Sequence, residues 1–171
     1  MAHRDVSSAV ELPPFQALID DYGRDVHRFL IATVGPTGAD DCYQETWLAA
    51  LRAYPRLRDG ANLRGWLLTI AHRKSIDHVR ARRRQAVPVA EVPERTVHGS
   101  SSPADVLSLD GEDELWRLVR ALPTKQRTAL ALRYVVDAAH ADIASVMGTS
   151  EDAARRNVHE GLKRLRTEYQ R

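Results

Sequence analysis

The chain has 171 residues, 43% of them apolar, a single cysteine and a formal net charge of +2. That is enough apolar sequence for one larger or two small packed domains, while a lone cysteine excludes an internal disulfide and fits a reducing compartment. No run approaches the roughly 18 apolar residues of a membrane span and the N-terminus lacks a basic segment followed by an apolar core, so the sequence reads as soluble and cytoplasmic, with no membrane partner.

Residues 1–14 read as an N-terminal tail that ends in Pro13-Pro14. From there Phe15, Leu18, Ile19, Tyr22, Val26, Phe29 and Leu30 keep helical spacing, weakened only locally by Gly23. Gly35-Pro36-Thr37-Gly38 reads as a break. Asp40 or Asp41 is expected to cap the next helix, which ends at Tyr54-Pro55 and turns Trp47, Leu48 and Leu51 to the core. Cys42, with no base beside it, reads as a packed thiol rather than a nucleophile.

After a short polar loop from Leu57 to Asn62, a long helix runs to Arg84. Leu63, Trp66, Leu67 and Ile70 share one face, and Leu68, Ile76 and Val79 widen it. Its second half is basic: Arg73, Lys74, Arg80, Arg82, Arg83 and Arg84 stand against one acid, Asp77. Arg73, Arg80 and Arg84 lie near one another on the helical wheel, a ladder suited to phosphates, with Asp77 placed to brace Arg73 and Arg80. The blander reading is a solvated basic helix end beside the negative end of the helix dipole.

Ala86 to Ser102 shows no apolar period and contains Pro88, Pro93, Gly99 and three consecutive serines, so 87–102 is expected to be a flexible linker between domains at 15–86 and 103–171. Ser102-Pro103 opens the second domain as a cap followed by Pro. Val106, Leu107, Leu115, Trp116, Val119 and Leu122 follow at helical spacing, with Gly111 as an interruption. Leu122-Pro123 starts another helix that points Leu130 and Leu132 inward. Then come a short helix from Ala138 to Met147, Gly148 as its C-cap, Thr149-Ser150 as the next cap, and a last helix from Glu151 to Tyr169. No strand pattern or repeat is present, so the expected fold class is all-α, two small helical domains.

A short helix, a glycine turn, a Ser/Thr cap and a basic helix form the helix-turn-helix pattern. Ile143, Ala144, Val146 and Met147 on one side and Ala154, Val158, Leu162 and Leu165 on the other supply its inner face. Arg155, Arg156, Asn157 and His159 lie off that stripe, where a recognition helix presents side chains to a major groove.

These segments together resemble a known family. The stretch from Ala39 to Arg84 is similar to region 2 of bacterial sigma factors, and that from Ala121 to Arg166 to their region 4. The pieces that agree in order are Asp41, Gln44 and Glu45; Leu63, Trp66 and Leu67; Ile70-Ala71; Asp77; Leu122-Pro123 with Arg127; Leu132 to Tyr134; Ile143-Ala144; and Gly148. The absence of regions 1 and 3 resembles the small extracytoplasmic-function (ECF) group of the sigma-70 family.

The resemblance implies a non-enzymatic transcription initiation subunit that needs no cofactor and no metal. Its implied partners are the RNA polymerase core, through the clamp helices of the largest subunit and the flap, promoter DNA, and an anti-sigma factor. Asp41, Gln44 and Glu45 fall where the family docks on the polymerase. Leu57, Arg58, Asn62, Arg73, Lys74 and Arg80 fall on the loop and helix that meet the −10 element. Ser150, Arg155, Arg156, Asn157 and His159 fall on the part that meets the −35 element. A basic helix beside a loop also suits melted DNA physically, because single-strand binding combines phosphate neutralisation with pockets for splayed bases.

The sequence departs from the family's usual region 4 at Ala138-Ala139, Ala141-Asp142, Glu151-Asp152-Ala153, Asn157 and Glu160. Glu151 and Asp152 suit a helix N-terminus but repel phosphates. Two other functions compete. A stand-alone duplex-binding regulator has no use for the region 2 segments. A metalloenzyme using His72, Asp77 and His78 is disfavoured because the histidines are six residues apart on a helix and diverge.

Overall fold

The computed structural model describes residues 12–58, 60–85 and 110–170, with the side chains of 110–113 excepted. Among the described residues every regular element is helical. The order is α1 (Phe15–Val34), α2 (Pro36–Ala53), a 3₁₀ turn (Tyr54–Arg56), α3 (Leu63–Gln85), α4 (Asp110–Ala121), α5 (Thr124–Leu130), a π-helical turn (Ala131–Val135), α6 (His140–Met147) and α7 (Glu151–Tyr169). The expected linker at 87–102, and the expected start of the second domain at 103–109 with Val106 and Leu107, lie outside the described residues.

Helices α1, α2 and α3 form the first bundle. Leu18, Val26, Phe29 and Leu30 of α1 and Leu67 and Leu68 of α3 are essentially fully buried; each such side chain contributes about 1.5–3 kcal/mol. The helices approach closely where side chains are small. A Cβ on Gly23 would meet the Tyr43 hydroxyl at 2.9 Å, so this glycine lets α1 and α2 touch and is more than a weak point in α1. Phe15, Tyr43, Trp47, Tyr54 and Trp66 stack edge to face or tilted across the end of the bundle, the ring pairs lying 5.3–6.2 Å apart.

Two expectations for α2 need correcting. The helix starts at Pro36, not at Asp40 or Asp41, because Gly35 takes φ 84° and turns the chain in one residue, and Pro36 fits the first helical turn. Asp40 and Asp41 therefore lie inside the helix. The core face is also different. Ala39, Cys42, Thr46, Trp47 and Ala50 are buried, whereas Leu48 and Leu51 are 54% and 51% exposed. Small residues let α2 pack closely against its neighbours, and that leaves its leucines outside.

The second bundle comprises α4 to α7 with the π-helical turn. Leu130, Leu132, Ile143, Val146, Ala154 and Val158 form its interior, with Leu162 and Leu165 packed at its edge. Gly148 caps α6 in the left-handed region (φ 62°, ψ 43°), and the Thr149 amide donates to the Ala144 carbonyl at 2.9 Å. Gly161 is a second close approach: a Cβ there would meet Leu130 Cδ1 at 2.8 Å, which sets α7 against α5.

The two bundles pack against each other. α3 lies along α6, and α1 contacts α4, α5 and the π-helical turn. Arg64 of α3 pins the seam: its guanidinium pairs with Asp25 of α1 at 2.8 Å and also donates to the Val136 carbonyl of the second bundle.

Candidate nucleic-acid interface

Asp41, Gln44 and Glu45 are all exposed on α2. Leu48 and Leu51 continue the same face at spacings of three and four, giving a polar patch with an apolar extension. Cys42 faces the other way, 2% exposed, with its thiol 4.0 Å from the Lys74 carbonyl. Burial, followed by the Glu45 and Asp41 carboxylates, pushes its pKa up to about 11. The thiol is packed and protonated, as expected from the sequence.

Leu57 is half-buried and Arg58 exposed in the loop before α3, and Asn62 ends that loop. The Asn62 side chain accepts from the Gly65 amide at 2.8 Å, so it caps α3 and fixes where the basic helix begins. Arg73 and Arg80 are exposed along α3. Lys74 is half-buried and lies 3.5 Å from Glu45, which couples the polar face of α2 to the basic face of α3. Asp77 lines a surface depression with Arg80, Arg83 and Arg84. The expected brace to Arg73 and Arg80 is not formed: among the described ion pairs Asp77 takes part in none.

In the helix-turn-helix, Ser150 caps α7 by accepting from the Ala153 amide at 3.2 Å. Arg155, Arg156 and His159 are exposed and Asn157 is half-buried, all off the buried stripe of Ala154 and Val158. Arg155 is tied to Glu151 one turn earlier by an ion pair. Glu151 thus holds Arg155, the first arginine of α7.

The inner side of α3 meets the helix-turn-helix across a cleft. His72 and Ile76 of α3 share a cleft of about 330 Å³ with Lys125, Met147, Arg156 and Asn157. His72 is 9% exposed, its Nδ1 has no partner, and burial followed by the Arg73 charge holds its pKa below the ordinary value. Sequence reasoning did not identify Arg64 as the pin or Leu48 and Leu51 as surface residues. The second had a signal, since Ala39, Cys42, Thr46 and Ala50 recur on one helix face, but small residues carry little weight in a hydrophobic pattern.

A further apolar groove, lined by Leu115, Trp116, Val119, Tyr134, Val135 and Leu165 among others, opens on the second bundle. No helix among the described residues is long and apolar enough to cross a membrane. No group of three or more metal-ligating side chains is present among them.

Residues 18–85 match the family Sigma-70 region 2 and residues 112–165 match Sigma-70, region 4. The chain is 35% identical over 145 residues to the ECF RNA polymerase sigma factor SigD of Mycobacterium tuberculosis, covering 82% of this chain and 68% of that one. It is 34% identical over 134 residues to the ECF RNA polymerase sigma factor SigC of the same species, covering 78% and 71%. Its fold is similar to that of the sigma factor RpoE in complex with the anti-sigma factor NepR from Bartonella quintana, with a TM-score of 0.69, 24% identity and coverage of 89% and 93%.

Proposed function

Because the chain belongs to the sigma-70 family, in its group of ECF RNA polymerase sigma factors, we propose that its work of directing core polymerase to specific promoters is divided among three of its surfaces. The exposed face of α2, with Asp41, Gln44 and Glu45, docks on the clamp helices of the polymerase. Leu57, Arg58, Asn62, Arg73, Lys74 and Arg80 serve the −10 element, with Asn62 acting chiefly as the cap that orients α3. Ser150, Arg155, Arg156, Asn157 and His159 serve the −35 element. The domains of this reading are 15–86 and 103–171.

The observation that carries it is the exposed polar face of α2, with Leu48 and Leu51 beside Gln44 and Glu45. It stands in one chain with an intact helix-turn-helix. A duplex-binding regulator has no use for such a face, and the chain has no need to be an enzyme. The apolar groove beside Trp116 and Tyr134 supports a second protein contact, by the polymerase flap or by an anti-sigma factor. Changing Gln44 to Ala and Glu45 to Lys should abolish binding to core polymerase with the helical circular dichroism unchanged. Unchanged core affinity in the folded variant would overturn the assignment of this face.

A further inference from the structure

A second cleft of about 440 Å³ lies on the seam between the bundles, and its lining is unusual in charge. Arg82 and Arg83 enter from α3, Arg120 from the end of α4 and Arg127 from α5, with His78 beside them. Among the described residues no acidic side chain lines it. Arg127 is 8% exposed, donates one nitrogen to the Arg120 carbonyl at 2.7 Å, and leaves its buried Nε without a partner. The Nε2 of His78 is likewise buried and unpartnered. Burial, then the Arg83 charge and then that of Arg120, lower the pKa of Arg127 below its ordinary value. The start of α2 packs behind these side chains: a Cβ on Gly35 would meet Arg120 Cδ at 3.4 Å, and one on Gly38 would meet His78 Nε2 at 2.5 Å.

Arg82 and Arg83 are exposed and Arg120 is half-buried, so water screens part of their charge, but with the buried Arg127 they still repel one another across the seam, and buried donors without partners cost free energy as well. Yet this is where α1, α3, α4 and α5 meet. An anion resolves both terms, because planar guanidiniums pair with phosphate oxygens two at a time and tolerate partial burial. We propose that this cleft is a binding site for a small molecule bearing a pyrophosphate group, which holds the two bundles together. The volume falls in the range of small-ligand sites, and four arginines match two phosphates better than one. The backbone of a duplex is a poorer occupant, since a cleft of about 440 Å³ between helices matches a small anion and not a double helix. The inference rests on the packing of the bundles and not on the division of labour proposed above.

The probe is inorganic pyrophosphate, titrated calorimetrically into the full chain at one fixed ionic strength. One saturable site is expected, with a melting temperature that rises as the site fills. Arg83→Ala combined with Arg120→Ala removes two side chains that lie outside the hydrophobic core, and should weaken binding at least about tenfold with the helical circular dichroism unchanged. Lys163→Ala with Arg166→Ala, exposed on α7 outside the cleft, should leave it unchanged. Absence of saturable binding, or equal loss in both variants, would overturn the site. So would a double arginine variant that keeps pyrophosphate binding but loses affinity for duplex DNA, which would assign these arginines to the DNA backbone.

Discussion

Glu151 and Arg155 form an ion pair on the first turn of α7, the helix proposed above to meet the −35 element, so this acid does more than favour the helix dipole. It holds an arginine that would otherwise be free to meet any phosphate. Replacing Glu151 and Asp152 with Ala should therefore strengthen binding to all duplexes and lower the ratio between a preferred and a scrambled −35 site, measured at one salt concentration. An unchanged ratio would reduce both acids to helix-end stabilisers. His72 gives a second prediction. It is packed neutral on the seam, facing Lys125 and Arg156 and following no acid of its own, while Arg73 is its neighbour on α3. Its folded pKa lies below the ordinary 6.5, so the unfolded or parted chain binds the proton more readily. The resulting stability is present in full above about pH 6.5 and falls as the pH drops below it. Thermal melts from pH 8 to 5 should show that fall, and His72→Gln should flatten it; parallel profiles would exclude His72 as the source.

Helix α3 joins three tasks along its length. Its start is capped by Asn62, its middle packs on α1, α2 and α6, and its end is basic. Changing Arg73 and Lys74 to Ala should leave polymerase binding in place but suppress strand opening, read by permanganate reactivity at the −10 element, and flatten the salt dependence by about 0.7–0.9 per lost phosphate contact. Because Lys74 also pairs with Glu45, Arg73→Ala alone separates the DNA effect from any loosening of α2; wild-type opening in both variants would count against the assignment. Much of this was readable in the sequence. Large apolar residues at helical spacing locate α1, α3 and α7 almost to the residue, and Gly148 with Ser150 marks the turn between α6 and α7. The α2 helix was harder to read. Its start depends on a positive φ at Gly35, which spacing does not report, and its core face is built from Ala, Cys and Thr, which a hydrophobic pattern undervalues.

At the scale of the whole molecule, the packing of the bundles was not legible, because it depends on pairs such as Arg64 with Val136 that are 72 residues apart and follow no period. What it does to function is direct. His72 and Ile76 of α3, the helix proposed to serve the −10 element, share a cleft with Arg156 and Asn157 of α7, the helix proposed to serve the −35 element, so the seam fixes the two helices relative to each other while Arg73, Arg80, Arg155 and Arg156 stay exposed. Arg64→Ala removes the pin and should lengthen the distance between a pair of labels, one on each bundle, while raising the affinity of the free protein for promoter duplex several-fold. A variant with unchanged distance and affinity would show that Arg64 does not hold the seam.

The central claim is that this chain gives core polymerase its promoters. The most direct test maps the 5′ ends of transcripts made on genomic DNA by core polymerase alone and by core polymerase with this protein. Adding the protein should produce a new set of starts that share a −10 and a −35 sequence at constant spacing, and that vanish with the Gln44→Ala, Glu45→Lys variant. The same starts with and without the protein would contradict it.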